Sequence, residues 1–253
     1  MLLDEAMKLL LVLVRVGCIF AFLPFLGETK APMAMKGLAV VAISLVILPV
    51  SGARVPAGAW QPVRFFLFVG AEVLLGLLIG VSARVVFSSI RIAGEMIGRQ
   101  IGMALAITAD PISGVQATPI GNFAELVGVL TLFSMGGHHM MLRALRESFA
   151  HWPLGTFVPA ELLRDSAVGA GSACFSMALQ IAAPLLLLTF LVSLVMAVMA
   201  RLVPEVNILV VGFPLRIGAG LIGLTLMVPL LVQCSNEVAR ATLRLMWSIA
   251  TRA

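Results

Sequence analysis

Long apolar runs, separated by short polar or Pro/Gly-rich segments, dominate the hydrophobicity pattern of this chain. They lie at approximately Leu9–Leu26, Met33–Val50, Phe65–Phe87, Phe123–Leu142, Ser172–Ala200 and Ile208–Val232. A helix needs roughly 20 mostly apolar residues to cross a bilayer core about 30 Å thick, and the runs have about that length. The pattern predicts an all-α chain of about six apolar helices, arranged as hydrophobic helical hairpins in one polytopic membrane domain, residues 1–253.

Proline and glycine mark the predicted turns between these helices. Residues 27–32, Gly-Glu-Thr-Lys-Ala-Pro, separate the first two runs and place Pro32 where the second helix would begin. A second Pro/Gly-rich break extends from Pro49 to Pro62. The first two helices are therefore expected to form a tight hairpin.

The fifth apolar run is too long for one simple crossing. Its length of about 29 residues corresponds to roughly 43 Å of helix, so tilt, a kink at Pro184 or surroundings other than a plain bilayer are expected. Pro204 is predicted to end this helix, Asn207 to cap the next one, and Pro214 to kink the returning arm.

Charged residues and glycines both repeat every four positions in the segment before residue 103. The two series are Arg91, Glu95, Arg99 and Gly94, Gly98, Gly102. Residues four apart share one face of a helix, and a glycine stripe lets a second helix approach closely. Gly76 and Gly80 repeat the small-residue spacing in the third run. A chance occurrence in a Gly-rich helix remains the alternative interpretation.

Residues 110–122 follow this helix and contain two prolines and two glycines. This composition is incompatible with a continuous helix. We predict a loop between apolar helices.

Four polar residues fall inside otherwise apolar runs: Arg15, Glu72, Gln180 and Arg216. A charged side chain at the centre of a lipid-facing helix costs about 2.5–3.5 kcal/mol, so these residues need partners or water. They are predicted to be buried polar residues that pair with one another, extend towards the helix ends, line a polar cavity or bind other subunits.

Composition supports a membrane protein and excludes a nucleic-acid-binding one. The chain is 61% hydrophobic and 11% charged, and its mean hydropathy is +1.11. Its 17 Lys and Arg exceed its 12 Asp and Glu, but they form no basic cluster with interleaved aromatic residues. Asp4 and Glu5 near the start, and the lack of a small-residue cleavage motif, indicate that the first run is retained. The distribution of Lys and Arg leaves the membrane orientation open.

No set of residues predicts catalysis, a metal site or a cofactor. His138 and His139 are adjacent and would point about 100° apart on a helix, and no Cys or HExxH spacing accompanies them. The three cysteines are isolated in apolar segments. No nucleophile motif or phosphate-binding loop occurs.

Several short motifs, taken together in this order, resemble the FliR/SctT family of type III secretion export-gate proteins. They are Gly94-Glu95, Gly98-x-Gln100-x-Gly102, Asp110-Pro111, Gly137-His138, Pro153-Leu154-Gly155, Arg201-x-x-Pro204-x-x-Asn207 and Gly212-x-Pro214-Leu215, with Arg15, Pro24 and Lys36 in the N-terminal hairpin. Each motif alone is weak, but the resemblance covers essentially the whole chain.

The resemblance implies a non-enzymatic channel subunit of the flagellar export gate, without cofactors, in the bacterial inner membrane within the flagellar basal body. FliP, FliQ and FlhB type subunits and unfolded export substrates would be its partners. Residues 1–165 would form a FliP-like portion, and residues 166–253 a FliQ-like C-terminal hairpin and tail. The flagellar assignment, rather than a virulence-associated one, follows from general likeness alone.

The resemblance also assigns roles to single residues. A loop near 110–121 would plug the closed pore, with Met103, Leu105, Asp110, Pro111, Ile112, Ser113, Gly114, Val115, Pro119 and Gly121 as plug or gating residues. Helix packing and subunit contacts would involve Gly94, Glu95, Gly98, Gln100, Gly102, Arg201, Pro204, Asn207 and Pro214.

Other functions remain as alternatives. Broken helices and buried charges are also typical of a small-solute secondary transporter, although the sequence lacks two symmetric halves. A pure assembly scaffold would tolerate changes in the plug loop but not in the glycine stripe. An intramembrane enzyme is the least favoured.

Overall fold

The computed structural model of the chain describes residues 2–23, 32–50, 60–103, 118–202 and 208–251. Every regular element in these ranges is an α-helix, which confirms the all-α prediction. The helices are α1 (Leu2–Phe22), α2 (Met33–Val50), α3 (Pro62–Phe87), α4 (Ser89–Ile101), α5 (Pro119–Ser134), α6 (Gly137–His151), α7 (Ala160–Leu202) and α8 (Ile208–Thr251).

Helix α2 coincides with its apolar run and begins next to Pro32, as predicted; α3 also begins at a proline. The carbonyl of Pro32 accepts hydrogen bonds from the amides of Met35 and Lys36, at 2.9 and 3.3 Å, so Pro32 caps α2. Pro62 is the first residue of α3, a position where its missing N–H costs nothing.

The fourth apolar run is not one helix, which corrects the prediction for Phe123–Leu142. Gly136 has φ = 67°, in the left-handed region, and separates α5 from α6. Glycine adopts this conformation without the steric penalty of a Cβ atom. Hydrophobicity continues across the break and therefore gave no sign of it.

The last two helices are much longer than the apolar runs that predicted them. Helix α7 has 43 residues and α8 has 44. Polar residues such as Glu161 and Arg164 in α7, and Arg240 and Arg244 in α8, extend both helices beyond their apolar parts. Both continue through their internal prolines, Pro184 in α7 and Pro214 and Pro229 in α8.

Three helical stretches within the described ranges are long and apolar enough to cross a membrane: Pro62–Ile101, Ala160–Leu202 and Gly212–Thr251. The broken pair α5 and α6 makes a fourth if it counts as one span. Helix α2 is apolar but shorter, over Met33–Pro49.

The chain divides into two compact units. Unit 1 contains residues 1–87, 133–173 and 239–253, and unit 2 contains residues 88–132 and 174–238. Both units draw on residues before and after position 165, so they differ from the predicted FliP-like and FliQ-like portions. That division, a statement about relatedness, remains a prediction.

Glycines bring helices together inside each unit. In unit 1, a Cβ atom added at Gly76 or Gly80 of α3 would meet the backbone of α1 at 3.0–3.2 Å. In unit 2, a Cβ atom at Gly94 of α4 would lie 2.8 Å from the Cα atom of Gly121 in α5. The predicted close approach at these spacings is thus observed.

Candidate functional site

An ion pair lies in the interior of unit 1, between α1 and α3. The guanidinium of Arg15 donates to both carboxylate oxygens of Glu72, from Nε at 2.5 Å and from Nη2 at 3.1 Å. The relative exposure of the two side chains is 0% and 1%. Such a two-point contact fixes the direction as well as the distance of the pair.

The same guanidinium also caps the end of α6. Its Nη1 donates to the carbonyl oxygens of Ser148 at 3.0 Å and Trp152 at 2.9 Å. The last carbonyls of a helix lack intrahelical partners and carry partial negative charge, so a cationic donor there supplies the missing hydrogen bonds and stabilises that charge. The Arg15 guanidinium carbon also lies 4.3 Å from the ring centroid of Phe149.

The loop after α6 completes this site. The amide of Gly155 donates to Glu72 Oε1 at 2.8 Å, and the indole of Trp152 donates to the carbonyl of Ile249 in α8 at 3.1 Å. We call this set, Arg15, Glu72, Ser148, Trp152 and Gly155, the arginine node. It joins α1, α3, the end of α6 and the last turn of α8 within unit 1.

Only part of the arginine node was visible in the sequence. Arg15 and Glu72 were singled out because they are charged residues in apolar runs. The acceptors at Ser148 and Trp152 are backbone carbonyls, which no sequence motif encodes. Gly155 belongs to the Pro153-Leu154-Gly155 motif, but its hydrogen bond to Glu72 was not predicted.

A second polar site lies in unit 2, where α4 packs against the start of α5. Oε1 of Glu95 accepts a hydrogen bond from the amide of Thr118 at 2.9 Å. The hydroxyl of Thr118 accepts one from the amide of Gly121 at 3.1 Å, which is N-cap geometry with Pro119 in the first helical position. We call Glu95 and Thr118 the loop anchor.

Pro119 and Gly121 therefore lie in the first turn of α5, which corrects their placement in the plug loop. Gly121 has no room for a side chain because the carboxylate of Glu95 lies against it. At Gly98, an added Cβ atom would lie 2.6 Å from the hydroxyl of Thr118. The close fit of the two helices thus depends on both glycines.

Helix α4 ends just beyond the loop anchor. Gly102 is its C-cap with φ = 103°, so this residue does not continue the helical glycine stripe as predicted. The amide of Gly102 donates to the carbonyl of Arg99 and that of Met103 to Gly98, both at 3.1 Å. The described chain stops at Met103 after α4 and resumes at Thr118, which lies beside Glu95 and Gly98 of the same helix.

The remaining predicted residues are more dispersed. Arg91 pairs with Glu125 at 3.4 Å, and Arg216 of α8 donates to Ser193 of α7 at 3.0 Å, a contact across the α7–α8 hairpin within unit 2. The predicted burial is not observed at Gln180, which is exposed because the inward face of α7 is formed by its neighbours Ala178 and Ile181.

The other predicted residues belong to neither the arginine node nor the loop anchor. Gln100 and Met103 are half-buried, and Arg201 and Pro214 are exposed. Leu105, the predicted residues 110–115, Pro204 and Asn207 lie outside the described residues. No group of three or more His, Cys, Asp or Glu side chains within the described ranges has the geometry of a metal site.

Comparisons with known proteins agree with the resemblance drawn from the motifs. Residues 6–241 match the family described as "Bacterial export proteins, family 1". The "Flagellar biosynthetic protein FliR" of Bacillus subtilis (strain 168) is 29% identical over 94% of this chain and 92% of its own. The protein of the same name from Aquifex aeolicus (strain VF5) is 30% identical over 88% and 85%.

A relative with a different name has the same level of sequence identity. The "Yop proteins translocation protein T" of Yersinia pestis is 29% identical over 93% of this chain and 90% of its own length. In each case the similarity spans both compact units.

Proposed function

The chain belongs to family 1 of the bacterial export proteins, and from this premise we propose that it is a channel subunit of the flagellar type III secretion export gate. It would complete the pore through which unfolded flagellar substrates leave the cell. It would act in the inner membrane, within the basal body, together with FliP, FliQ and FlhB type subunits.

The exposed apolar faces of α7 and α8 support assembly with other helices. These faces include Leu187, Phe190, Leu191, Leu194 and Val198 of α7 and Leu221, Ile222, Leu226 and Leu230 of α8. Apolar surface of this kind is covered in use by lipid or by other protein chains. In a gate subunit, other helical subunits would cover part of this surface and lipid could cover the rest.

The observation that carries the channel role, as distinct from a scaffold role, is the loop anchor. Gly102 ends α4, and the amide of Thr118 donates to Glu95 of the same helix. The described residues on either side of residues 104–117 therefore both lie beside α4, as the two flanks of a tethered plug would.

The arginine node argues against a solute-binding role. Arg15 and Glu72 use their polar atoms on each other and on the backbone of residues 148–155. They are therefore structural charges and not a binding site for a small polar solute. This reduces the case for a secondary transporter, which needs accessible polar groups near its centre.

The plug role is tested by replacing residues 110–117 with an equal number of Gly and Ser residues in the chain coexpressed with FliP and FliQ type subunits. This change keeps Thr118 and hence the loop anchor. We expect the complex to assemble, because the described helix contacts are unchanged, and its conductance to small ions to rise in a planar bilayer. The matched control replaces residues 52–59 in the α2–α3 connection.

Three results would count against the proposal. Assembly with no added conductance would assign the chain to a scaffold role. Equal conductance in the control would show that the leak is not specific to the loop. A chain that extracts only as a monomer or dimer, with no copurifying subunit, would favour the transporter.

A further inference from the structure

An open groove of about 590 Å³ lies in unit 1, between α6 and the C-terminal part of α8. Three arginines line it: Arg143 of α6, and Arg240 and Arg244, one turn apart on α8. All three side chains are exposed. Neither the arginine node nor the loop anchor uses this groove.

The arginines have no acidic partner among the described residues. No carboxylate in those ranges lies within 4.0 Å of a guanidinium nitrogen of Arg143, Arg240 or Arg244. Glu147, one turn after Arg143 on α6, is the nearest acid along that helix and forms no ion pair with it. Glu237, three residues before Arg240 on α8, forms no ion pair with it either. Three neighbouring cations therefore face solvent without an ion-pair partner among the described residues, which favours an anionic ligand.

The rest of the groove is apolar. Leu243, only 5% exposed, forms its floor, and Met140 and Trp247, 49% and 44% exposed, stand at its sides. A free phosphate or a simple acidic peptide would leave this surface uncovered. A ligand that combines an anionic group with hydrocarbon would cover it, and the volume lies within the range of about 300–1,000 Å³ typical of ligand sites.

The position of the groove along α8 fits the same ligand. The apolar run in this helix ends near Val232, and Arg240 and Arg244 follow about two to three turns later, at the C-terminal end of the candidate span Gly212–Thr251. Arginine and tryptophan next to an apolar span are typical of the membrane interface, where basic pockets bind anionic head groups.

We propose that this groove binds an anionic diacyl phospholipid. The phosphate is held by the three arginines through charge-assisted hydrogen bonds, and one acyl chain covers Leu243, Met140 and Trp247. The combination of unpaired arginines with an apolar floor and a tryptophan favours a lipid over an acidic segment of another protein.

The test uses the full chain in detergent, stripped of lipid, with phosphatidylglycerol or phosphatidylethanolamine of matched acyl chains added and retained lipid counted by native mass spectrometry. We expect phosphatidylglycerol to be retained in preference. Arg240→Gln/Arg244→Gln should lower its retention at least tenfold, whereas the exposed pair Arg64→Gln/Arg164→Gln, which removes the same charge, should not. Trp247→Ala should lower the retention of phosphatidylglycerol but not the binding of free glycerophosphate.

Several outcomes would overturn the proposal. The first is equal retention of the two lipids, and the second is an equal loss of retention in the two double variants. The third is that binding of a polyglutamate peptide requires Arg240 and Arg244 while binding of phosphatidylglycerol does not. Far-UV circular dichroism checks that each variant is folded. Independently of any variant, retention by the unaltered chain should fall as NaCl is raised, because exposed charges are screened by salt; no salt dependence would also exclude the arginine contact.

Discussion

Arg15 and Glu72, which are 57 residues apart in sequence, form a two-point ion pair in the interior of unit 1. The pair does not stand alone, since Arg15 also binds two carbonyls at the end of α6 and Glu72 binds the amide of Gly155. Each guanidinium nitrogen and each carboxylate oxygen of the pair thus has a hydrogen-bond partner within the same unit.

Removing one member of the pair should destabilise the chain far more than removing both. In Arg15→Met or Glu72→Leu, the remaining charge is buried without its counter-ion, and we expect a loss of about 3–5 kcal/mol in the free energy of unfolding. The double variant Arg15→Met/Glu72→Leu leaves no buried charge, so its loss should be smaller than either single loss. Unfolding in detergent, followed by far-UV circular dichroism, measures all three.

An exposed ion pair provides the control for this cycle. Arg164 and Asp165 are 3.2 Å apart, with side chains 74% and 60% exposed. Arg164→Gln should change stability by no more than about 1 kcal/mol. A double variant whose loss equals the sum of the two single losses would contradict the view that the Arg15–Glu72 contact couples them.

Two glycines in α3 should respond in opposite directions to the same substitution. At Gly76 an added Cβ atom lies 2.7 Å from Cys18 Cβ and 3.0 Å from the carbonyl oxygen of Arg15. Because α1 backbone must move to make room, Gly76→Ala should destabilise the chain by about 1–3 kcal/mol. At Gly70 no atom lies within 4 Å, so Gly70→Ala should stabilise by up to about 1 kcal/mol.

The comparison is made by the midpoint of thermal unfolding in the same detergent. Both variants add one methyl group to the same helix, so their difference isolates the contact with α1. Equal shifts in the two midpoints would mean that α1 and α3 are not held as closely as the structure has them.

The cap of α5 gives a third prediction, centred on Thr118. Thr118→Val keeps the shape of the side chain but removes the oxygen that accepts from Gly121, and we expect a loss of about 0.5–2 kcal/mol. Thr118→Ser keeps the oxygen and should cost much less. Hydrogen exchange at the amides of residues 120–122 should rise in Thr118→Val alone, and faster exchange in both variants would argue against the cap.

The sequence was sufficient to predict most helices and two of the close helix contacts. Hydrophobic runs gave α2 to the residue, since apolar length and flanking prolines both act locally. The spacing of Gly76 with Gly80 and of Gly94 with Gly98 predicted close approach, because a glycine stripe leaves no side chains between two packed helices.

What the sequence did not reveal depends on backbone conformation and on contacts distant along the chain. The break at Gly136 lies inside an apolar run and follows from a single positive φ. The partners of Arg15 at Ser148 and Trp152 are carbonyl oxygens, which every residue possesses. The N-cap role of Thr118 was missed because Pro119 was interpreted as a helix breaker, although proline is also favoured at the first helical position.

The end of α4 supplies the last prediction, in which two left-handed glycines are compared. Gly102 and Gly136 have φ of 103° and 67°, a region that Asn tolerates better than most other residues. At Gly102 an added Cβ atom lies 3.1 Å from the ring of Phe213 in α8, whereas nothing lies within 4 Å at Gly136. Gly102→Asn should therefore cost more stability than Gly136→Asn, by about 1 kcal/mol or more.

Relief of the ring contact separates crowding from backbone strain at Gly102. Phe213→Leu shortens the side chain that the new Cβ atom meets, so Gly102→Asn should cost less in a Phe213→Leu background than in the unaltered chain. The four unfolding free energies form a double-mutant cycle whose coupling term measures the Gly102–Phe213 contact. A coupling term of zero would leave backbone strain as the whole effect and would remove α8 as a support for the point where residues 104–117 leave α4.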